Sequence, residues 1–415
     1  MSLPIHTLPI VERWDCHQCG VCCRGSIVPL SDADVARLRE QKWHERPEFA
    51  RVPTTAPLAG SGGRQQLAKR ADGSCVFLQE DGLCLIHKEL GFDAKPLICR
   101  TFPLQLVPRE KDAVLTLRRA CPSAAGDRGR ELAEYLAAAR AVAAEGRLAE
   151  CGVAAPPLKP GETSDWKRSR IVLEALRRIT GDERYPPIRR LAHGLEFCRL
   201  IEAAKTADLS NAKLNELAQV LENNIVDEAA AHFAERRQPS GAARVLFRQI
   251  ALEIVRLHPN IYHQPTWSSR LRMAGWALKT VWGRGRVPNV WREFPQPTFA
   301  ELEQPLAHFD ASLVLPLARY FETTTASYQY ALADRGGWSV VESYRQLAIL
   351  YPIALWLLRW ISAGREATLD DLLRILSAVD RSQGFAPLAG LKQRSRLKTL
   401  ASLGELSTLV AWYGR

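Results

Sequence analysis

Eight cysteines crowd the amino-terminal part of the chain, at positions 16, 19, 22, 23, 75, 84, 99 and 121, and only Cys151 and Cys198 lie beyond. The run Cys16-His17-Gln18-Cys19-Gly20-Val21-Cys22-Cys23 has the Cys-x2-Cys-x2-Cys spacing that lets three thiolates converge on one small inorganic core. As in ferredoxin-type runs, the fourth ligand then comes from elsewhere in the chain. Cys75, Cys84, Cys99 and Cys121 are the remote candidates, and eight thiolates divide naturally into two four-ligand sites. Cys22 and Cys23 are chain neighbours whose side chains are expected to point apart, which assigns them to different sites or gives only one a ligand role. Gly20 suits a tight turn that aims backbone N–H groups at thiolate sulfur.

Zinc also accepts four thiolates in tetrahedral geometry, commonly from closely spaced Cys pairs. Cys75 and Cys84 are spaced more loosely than a zinc knuckle, so an iron–sulfur cluster, of the 4Fe-4S type, is preferred while zinc stays open. Reduced cysteine alone can fill a core as a small hydrophobe. Eight in one loop-rich stretch are poorly explained that way, whereas Cys151 and Cys198, on predicted helices without nearby thiols, fit it. His87 follows Cys84 by three residues and is either a ligand or, preferably, a hydrogen-bonding neighbour of the site. Arg100 offers a fixed cation, either to the carboxylate of a bound cofactor or to thiolate sulfur.

The elements that must hold these residues are short. Residues 1–123 read as loops punctuated by Gly60 to Gly63, Asp72-Gly73 and Asp81-Gly82, with brief apolar segments such as Cys75-Val76-Phe77-Leu78. One helix is predicted there, capped at Ser31 with acids in its first turn. Arg130 to about Glu150 is rich in alanine and strong helix formers, and Pro156-Pro157 with Pro160-Gly161 ends it, giving a helix and linker over 124–162. Residues 163–415 carry apolar residues at helical spacing around 165–179, 188–206, 211–236, 240–257, 310–334, 338–362, 368–380 and 396–413. Thr368 reads as a cap for acids that follow it. The expected fold is mainly α: a small, loop-rich, metal-bound module followed by an irregular helical bundle.

At 415 residues, with 47% hydrophobic and 24% charged residues, the composition is that of a globular protein of two or three units. The start lacks the pattern of a secretory signal, and the longest apolar run, Leu347 to Leu358, contains Pro352 and is too short to span a bilayer, so it reads as a buried helix. Free thiols and the absence of an export signal point to a reducing cytoplasm. The net charge of +11 favours acidic partners. From Trp267 to Arg292, four tryptophans (267, 276, 282, 291) alternate with Arg270, Arg272, Lys279, Arg284, Arg286 and Arg292 and no acid occurs. That segment could stack on single-stranded nucleic acid, sit at a membrane interface or grip an acidic protein. The preferred reading is a helix with tryptophans in the core and arginines in water, so nucleic acid is not a favoured partner. No glycine-rich nucleotide turn, Ser-His-acid order or His-Glu-x-x-His helix is present.

The cysteine run, with Gly73-x-Cys75-Val76-Phe77-Leu78, Cys84-Leu85-Ile86-His87, and Pro96-x-x-Cys99-Arg100-Thr101-Phe102-Pro103 in that order, resembles the CxxCxxCC cysteine-cluster family of zinc- or iron-chelating domains. Ile86 to Gly91, Cys99 to Pro103 and Cys121-Pro122 are similar to the family's flagellin lysine-N-methylase branch, although the first cysteines here match the shorter cysteine-cluster form. That resemblance implies cluster-dependent transfer of a methyl group from S-adenosylmethionine to lysines of a flagellin-like protein substrate. The alternative is a non-catalytic zinc- or iron-binding module joined to a helical interaction domain.

Overall fold

The structure is a computed structural model that describes residues 3–58, 62–146, 153–234, 237–256, 267–291, 293–305, 311–332, 337–384 and 391–414. Cys151 and Arg292, both assigned above, lie outside the described residues.

The amino-terminal part is built from short pieces. They are β1 (Ile5–Thr7), β2 (Arg13–Trp14), α1 (Asp32–Glu40), β3 (Thr55–Pro57), β4 (Gln65–Leu67), α2 (Leu85–Leu90), α3 (Leu97–Thr101), β5 (Leu104–Pro108), β6 (Ala113–Leu117), α4 (Pro122–Ala125), β7 (Arg130–Glu131) and α5 (Leu136–Glu145). β6 forms the centre of a three-stranded sheet, parallel to β1 and antiparallel to β5. Every residue of Ala-Val-Leu-Thr-Leu in β6 is buried, as its apolar and β-branched content favours. β2 pairs with β7, and β3 with β4. Ser31 caps α1 through a capping box with Asp34, as its sequence predicts.

Two small apolar clusters hold these pieces. One gathers Trp43, Phe49 and Phe77, with ring centroids 5.1–5.5 Å apart, together with Leu38, Leu67, Leu78 and Ile86. The other packs Ile5, Leu115, Leu117, Leu132 and Ala139 on the sheet.

The rest of the described chain is helical: α6 (Trp166–Thr180), α7 (Pro187–Ala203), α8 (Asn211–Ala234), α9 (Gly241–Val255), α10 (Trp267–Trp282), α11 (Phe299–Leu302), α12 (Leu315–Ala326), α13 (Gln329–Leu332), α14 (Val340–Ile361), α15 (Leu369–Gly384), α16 (Leu391–Ser402) and α17 (Leu406–Tyr413). The protein is therefore mainly α, with a loop-rich amino-terminal part. All 22 residues of α14 are buried, and the helix runs through Pro352 while packing against α7, α15 and α17. Burial on every side, with Glu342 and Arg345 covered and paired with Arg394 and Glu202, places this helix at the centre of the bundle. Cys198 lies in the same core. No described helix is long and apolar enough to cross a membrane.

Three predicted helices differ from those observed. The alanine-rich stretch begins its helix at Leu136 and not at Arg130, because Arg130 and Glu131 are taken by pairing with β2. The stretch 310–334 is broken at Tyr328, whose φ is +62°. That phenol hydrogen-bonds Glu174 and lies under the Arg109 guanidinium, 4.3 Å from the ring centroid, so tertiary contacts override helix continuity. The last stretch is split into α16 and α17 by Leu403 and Gly404, where φ is +67°. If the aromatic cluster is what supports the loop-rich part, Phe77→Ala should cost about 3–5 kcal/mol. Urea unfolding followed by tryptophan fluorescence measures this.

Candidate metal centre

The cysteine run is fixed at its start by Asp15. Its N–H donates to Arg128 O (3.0 Å), and its carboxylate accepts from Arg130 and from the Tyr135 hydroxyl. Those bonds, Arg130's first, hold the Asp15 carboxyl down at about 2. Ser123, two residues past Cys121, donates to Asp15 O at 2.6 Å, which ties the beginning of the run to the Cys121 segment.

The run then turns at Gly20, with φ +67°, into a 3-10 turn over Val21–Cys23. A side chain at Gly20 would press on Leu78 Cδ1 at 3.2 Å and Gly82 O at 3.3 Å, and one at Gly82 would come within 2.9 Å of Gln18 O. The two glycines let the run settle against the turn that precedes Cys84. The Gly20 turn is as its sequence predicts. The Cys22 and Cys23 side chains do not point apart: their sulfurs lie 3.9 Å from each other. In a 3-10 turn successive side chains rotate by about 120°, unlike the alternation of a strand.

Cys23, Cys75, Cys84 and Cys99 share one environment. Cys75 N–H donates to Cys23 O at 2.8 Å, and Arg24 bridges Ser74. Cys84 bridges Leu78 and stands at the start of α2, while Leu85 N–H donates to Phe77 O at 2.8 Å. Cys99 lies on α3, which is anchored where Leu97 N–H donates to Asp34 Oδ1 at 2.9 Å. Cys75 belongs to the cluster around Trp43 and Phe77, and Cys23, Cys84 and Cys99 pack against it. Burial pushes the Cys75 thiol up to about 11 and Cys99 still higher. Cys23 is raised by its hydrogen bond to Cys22 and then by burial, and the same bond lowers Cys22.

Cys16, Cys19 and Cys22 are exposed, and Cys121 is half-buried against the sheet cluster. Cys121 is the cap residue of α4; the Ala124 and Ser123 backbone N–H groups lower its pKa, yet burial still pushes the thiol up to about 11. Beyond these effects, the charges it feels are those of Cys19 and Cys22, while Cys19 in turn feels Cys22 and Cys16. Among the described residues, no three Cys, His, Asp or Glu side chains converge tightly enough to hold an ion as they stand.

The end of α15 touches both groups. The Asp380 carboxylate accepts from Arg118 Nε and from Ala120 N–H, each at 2.9 Å, and Ser377 Oγ donates to Ala120 O at 2.9 Å. Arg381 reaches from the other side, donating to Val21 O at 3.4 Å and Arg24 O at 3.5 Å on either side of Cys22-Cys23. Burial lowers the Arg381 pKa to about 10, against the raising effect of Asp380 and Cys22. Neither Asp380 nor Arg381 is among the candidates named from the sequence. A signal was present: Asp380 continues the Leu372, Leu376 row at four-residue spacing, a charge standing where the helix is otherwise buried.

The two non-cysteine candidates lie at the edge. His87 is exposed on α2, with its ring against Phe92 at a 5.9 Å centroid separation. Arg100 Nε donates to Lys95 O at 3.0 Å, and its other arm pairs with Glu145, which also binds Arg37. The guanidinium is thus committed to a carboxylate of this chain.

Residues 15–122 match the CxxCxxCC family, described as a putative zinc- or iron-chelating domain. No curated protein and no solved structure matches the chain. The match spans all eight amino-terminal cysteines and stops short of the helical part.

Deleting the carboxylate at the junction, in Asp380→Ala, strips Arg118 of its buried counter-charge and should cost about 3–5 kcal/mol. Ser377→Ala should cost only about 1 kcal/mol. Denaturant unfolding of both variants, with amide exchange at Ala120, tests this ranking.

Proposed function

We propose that this protein binds metal at two adjoining four-cysteine centres, Cys16, Cys19, Cys22 and Cys121 at one and Cys23, Cys75, Cys84 and Cys99 at the other, which meet where the Cys22 and Cys23 sulfurs lie 3.9 Å apart. The observation that carries the reading is the packing of the second set on a single apolar cluster, with Cys75 hydrogen-bonded to the backbone of Cys23. The first set holds the Cys-x2-Cys-x2-Cys run, and its remote fourth member is tied to the start of that run through Ser123.

The donor chemistry fits a cation. Burial disfavours thiolates at Cys75, Cys99 and Cys121, so ionising them together requires positive charge among the sulfurs. Bound metal would cross-link loops that have few ladders of their own and, as an iron–sulfur cluster, would add one-electron redox capacity. A 4Fe-4S cluster at the Cys16 set is preferred, with zinc the alternative at either. The reading places the protein in a reducing, cytoplasmic setting, where thiols at this density stay available to metal.

The finer reading is S-adenosylmethionine-dependent N-methylation of lysines on a flagellin-like protein. Its support is the motif likeness over Ile86 to Gly91, Cys99 to Pro103 and Cys121-Pro122. Within it, the helical body would present the target, and a donor carboxylate reaching Arg100 would have to displace Glu145. Anaerobic protein incubated with labelled methyl donor and candidate lysine-rich proteins tests it; unlabelled lysine with metal intact leaves the binding module alone.

Metal content tests the two-centre reading directly. Protein made without oxygen should contain about four irons for each 4Fe-4S cluster, with absorbance near ~400 nm, or about one zinc per centre. Cys19→Ser should remove one centre's metal and Cys75→Ser the other's, while the double variant should lose both. Equal loss from either single variant, or no metal in the parent, would refute it.

A further inference from the structure

Helix α10 turns an apolar face to solvent. Trp267, Leu271, Leu278 and Trp282 are 79%, 69%, 68% and 82% exposed, and Ala274 between them is exposed too. At 100° per residue these five fall within one narrow stripe. The side chains that do pack inward, Ser269, Thr280 and the half-buried Trp276, lie on the opposite side, toward α9. The expectation that the tryptophans face the core therefore holds for Trp276 and for Trp291, which is 2% exposed, but fails for Trp267 and Trp282.

Arg270 borders the stripe on one side, and Arg272 and Lys279 border it on the other. Arg284 and Arg286 follow the helix, and the described residues from Trp267 to Trp291 contain no acid. Just past Trp282, a cleft of about 530 Å³ is lined by Arg244, Arg248 and Arg284, with Glu303 on its wall. Glu303 lies 3.7 Å from Arg248, leaving cationic excess at the mouth.

We propose that α10 is an interfacial anchor, lying flat in the headgroup region of an anionic membrane. Each part of the geometry has a use there. A helix of 16 residues, about 24 Å long, presents aliphatic side chains at its middle and amphipathic indoles at its two ends, the arrangement that suits the boundary between headgroups and acyl chains. The flanking cations meet lipid phosphates, an attraction that an anionic surface adds and that salt screens. A second copy of this chain is a poor occupant, because a symmetric contact would set the same cations against one another. Nucleic acid would use the cations and indoles but leaves Leu271 and Leu278, at the stripe's centre, without a role.

The test is cosedimentation of the full chain with vesicles of phosphatidylcholine alone and of an equimolar mixture with phosphatidylglycerol. Binding to the anionic vesicles only, weakened by added salt, is expected. Leu271→Glu with Leu278→Glu should reduce it by at least about tenfold, since two exposed leucines lose their apolar burial. Both positions are exposed, so circular dichroism and metal content should match the parent. Brominated lipid should quench tryptophan emission in the parent and much less in the Trp267→Phe, Trp282→Phe variant. The proposal is overturned by no binding to anionic vesicles at low salt, or by unchanged binding of the glutamate variant. It is equally overturned if that variant abolishes a concentration-dependent dimer, or the tighter capture of an RNA oligonucleotide, in place of vesicle binding.

Discussion

A single buried carboxylate organises the junction on which the cysteine constellation rests. Asp380, with no exposed surface, is shared between the Arg118 guanidinium and the Ala120 N–H, one residue before Cys121. Its chain neighbour Arg381 binds the carbonyls that flank Cys22-Cys23. One helix end therefore grips two segments about a hundred residues apart. A buried charge pair contributes little net stability when complete, yet breaking it is costly, so its effect is to enforce one docking geometry. The loop-rich part needs such enforcement, because its longest strands have five residues and its helices there do not exceed ten.

The two cysteine neighbourhoods differ in what positions them. Cys23, Cys75, Cys84 and Cys99 are set by an apolar cluster and by short backbone bonds among their own loops. Cys16, Cys19, Cys22 and Cys121 depend on polar tethers through Asp15, Ser123 and Arg130, and beyond them on α15. The first neighbourhood is a local construction; the second is completed by the helical body. A change in the body's packing would reach Cys121 and Cys22 before it reached Cys75. Small loop-rich units that cannot bury enough surface commonly rely on such staples, of metal or of neighbouring structure.

Much of this was legible in the chain. Helical spacing gave the bundle, the Ser31 and Thr368 caps gave two helix starts that the structure shows, and residues 338–362 contain the buried helix α14. Local signals sufficed because capping and amphipathic periodicity are decided within a few residues. The same locality explains the failures. Nothing near Tyr328 announces that Glu174 and Arg109 will hold it in a left-handed conformation, and nothing near Arg130 announces β2. The preferred expectation of a helix with its tryptophans inward fails at Trp267 and Trp282, because the direction in which α10 faces is set by its contact with α9.

By itself, the sequence determined that thiol chemistry is concentrated in the first 123 residues and that most of the remainder is helix, because ligand type and periodicity are written in residue identity and spacing. Which thiols are neighbours was decided only by the tertiary structure. Cys23 meets Cys75 through a backbone bond across fifty residues, and the Cys121 segment is seated by Asp380, which lies 260 positions from Ala120. Contacts at such separations depend on the packing of the whole core, and no local pattern encodes them.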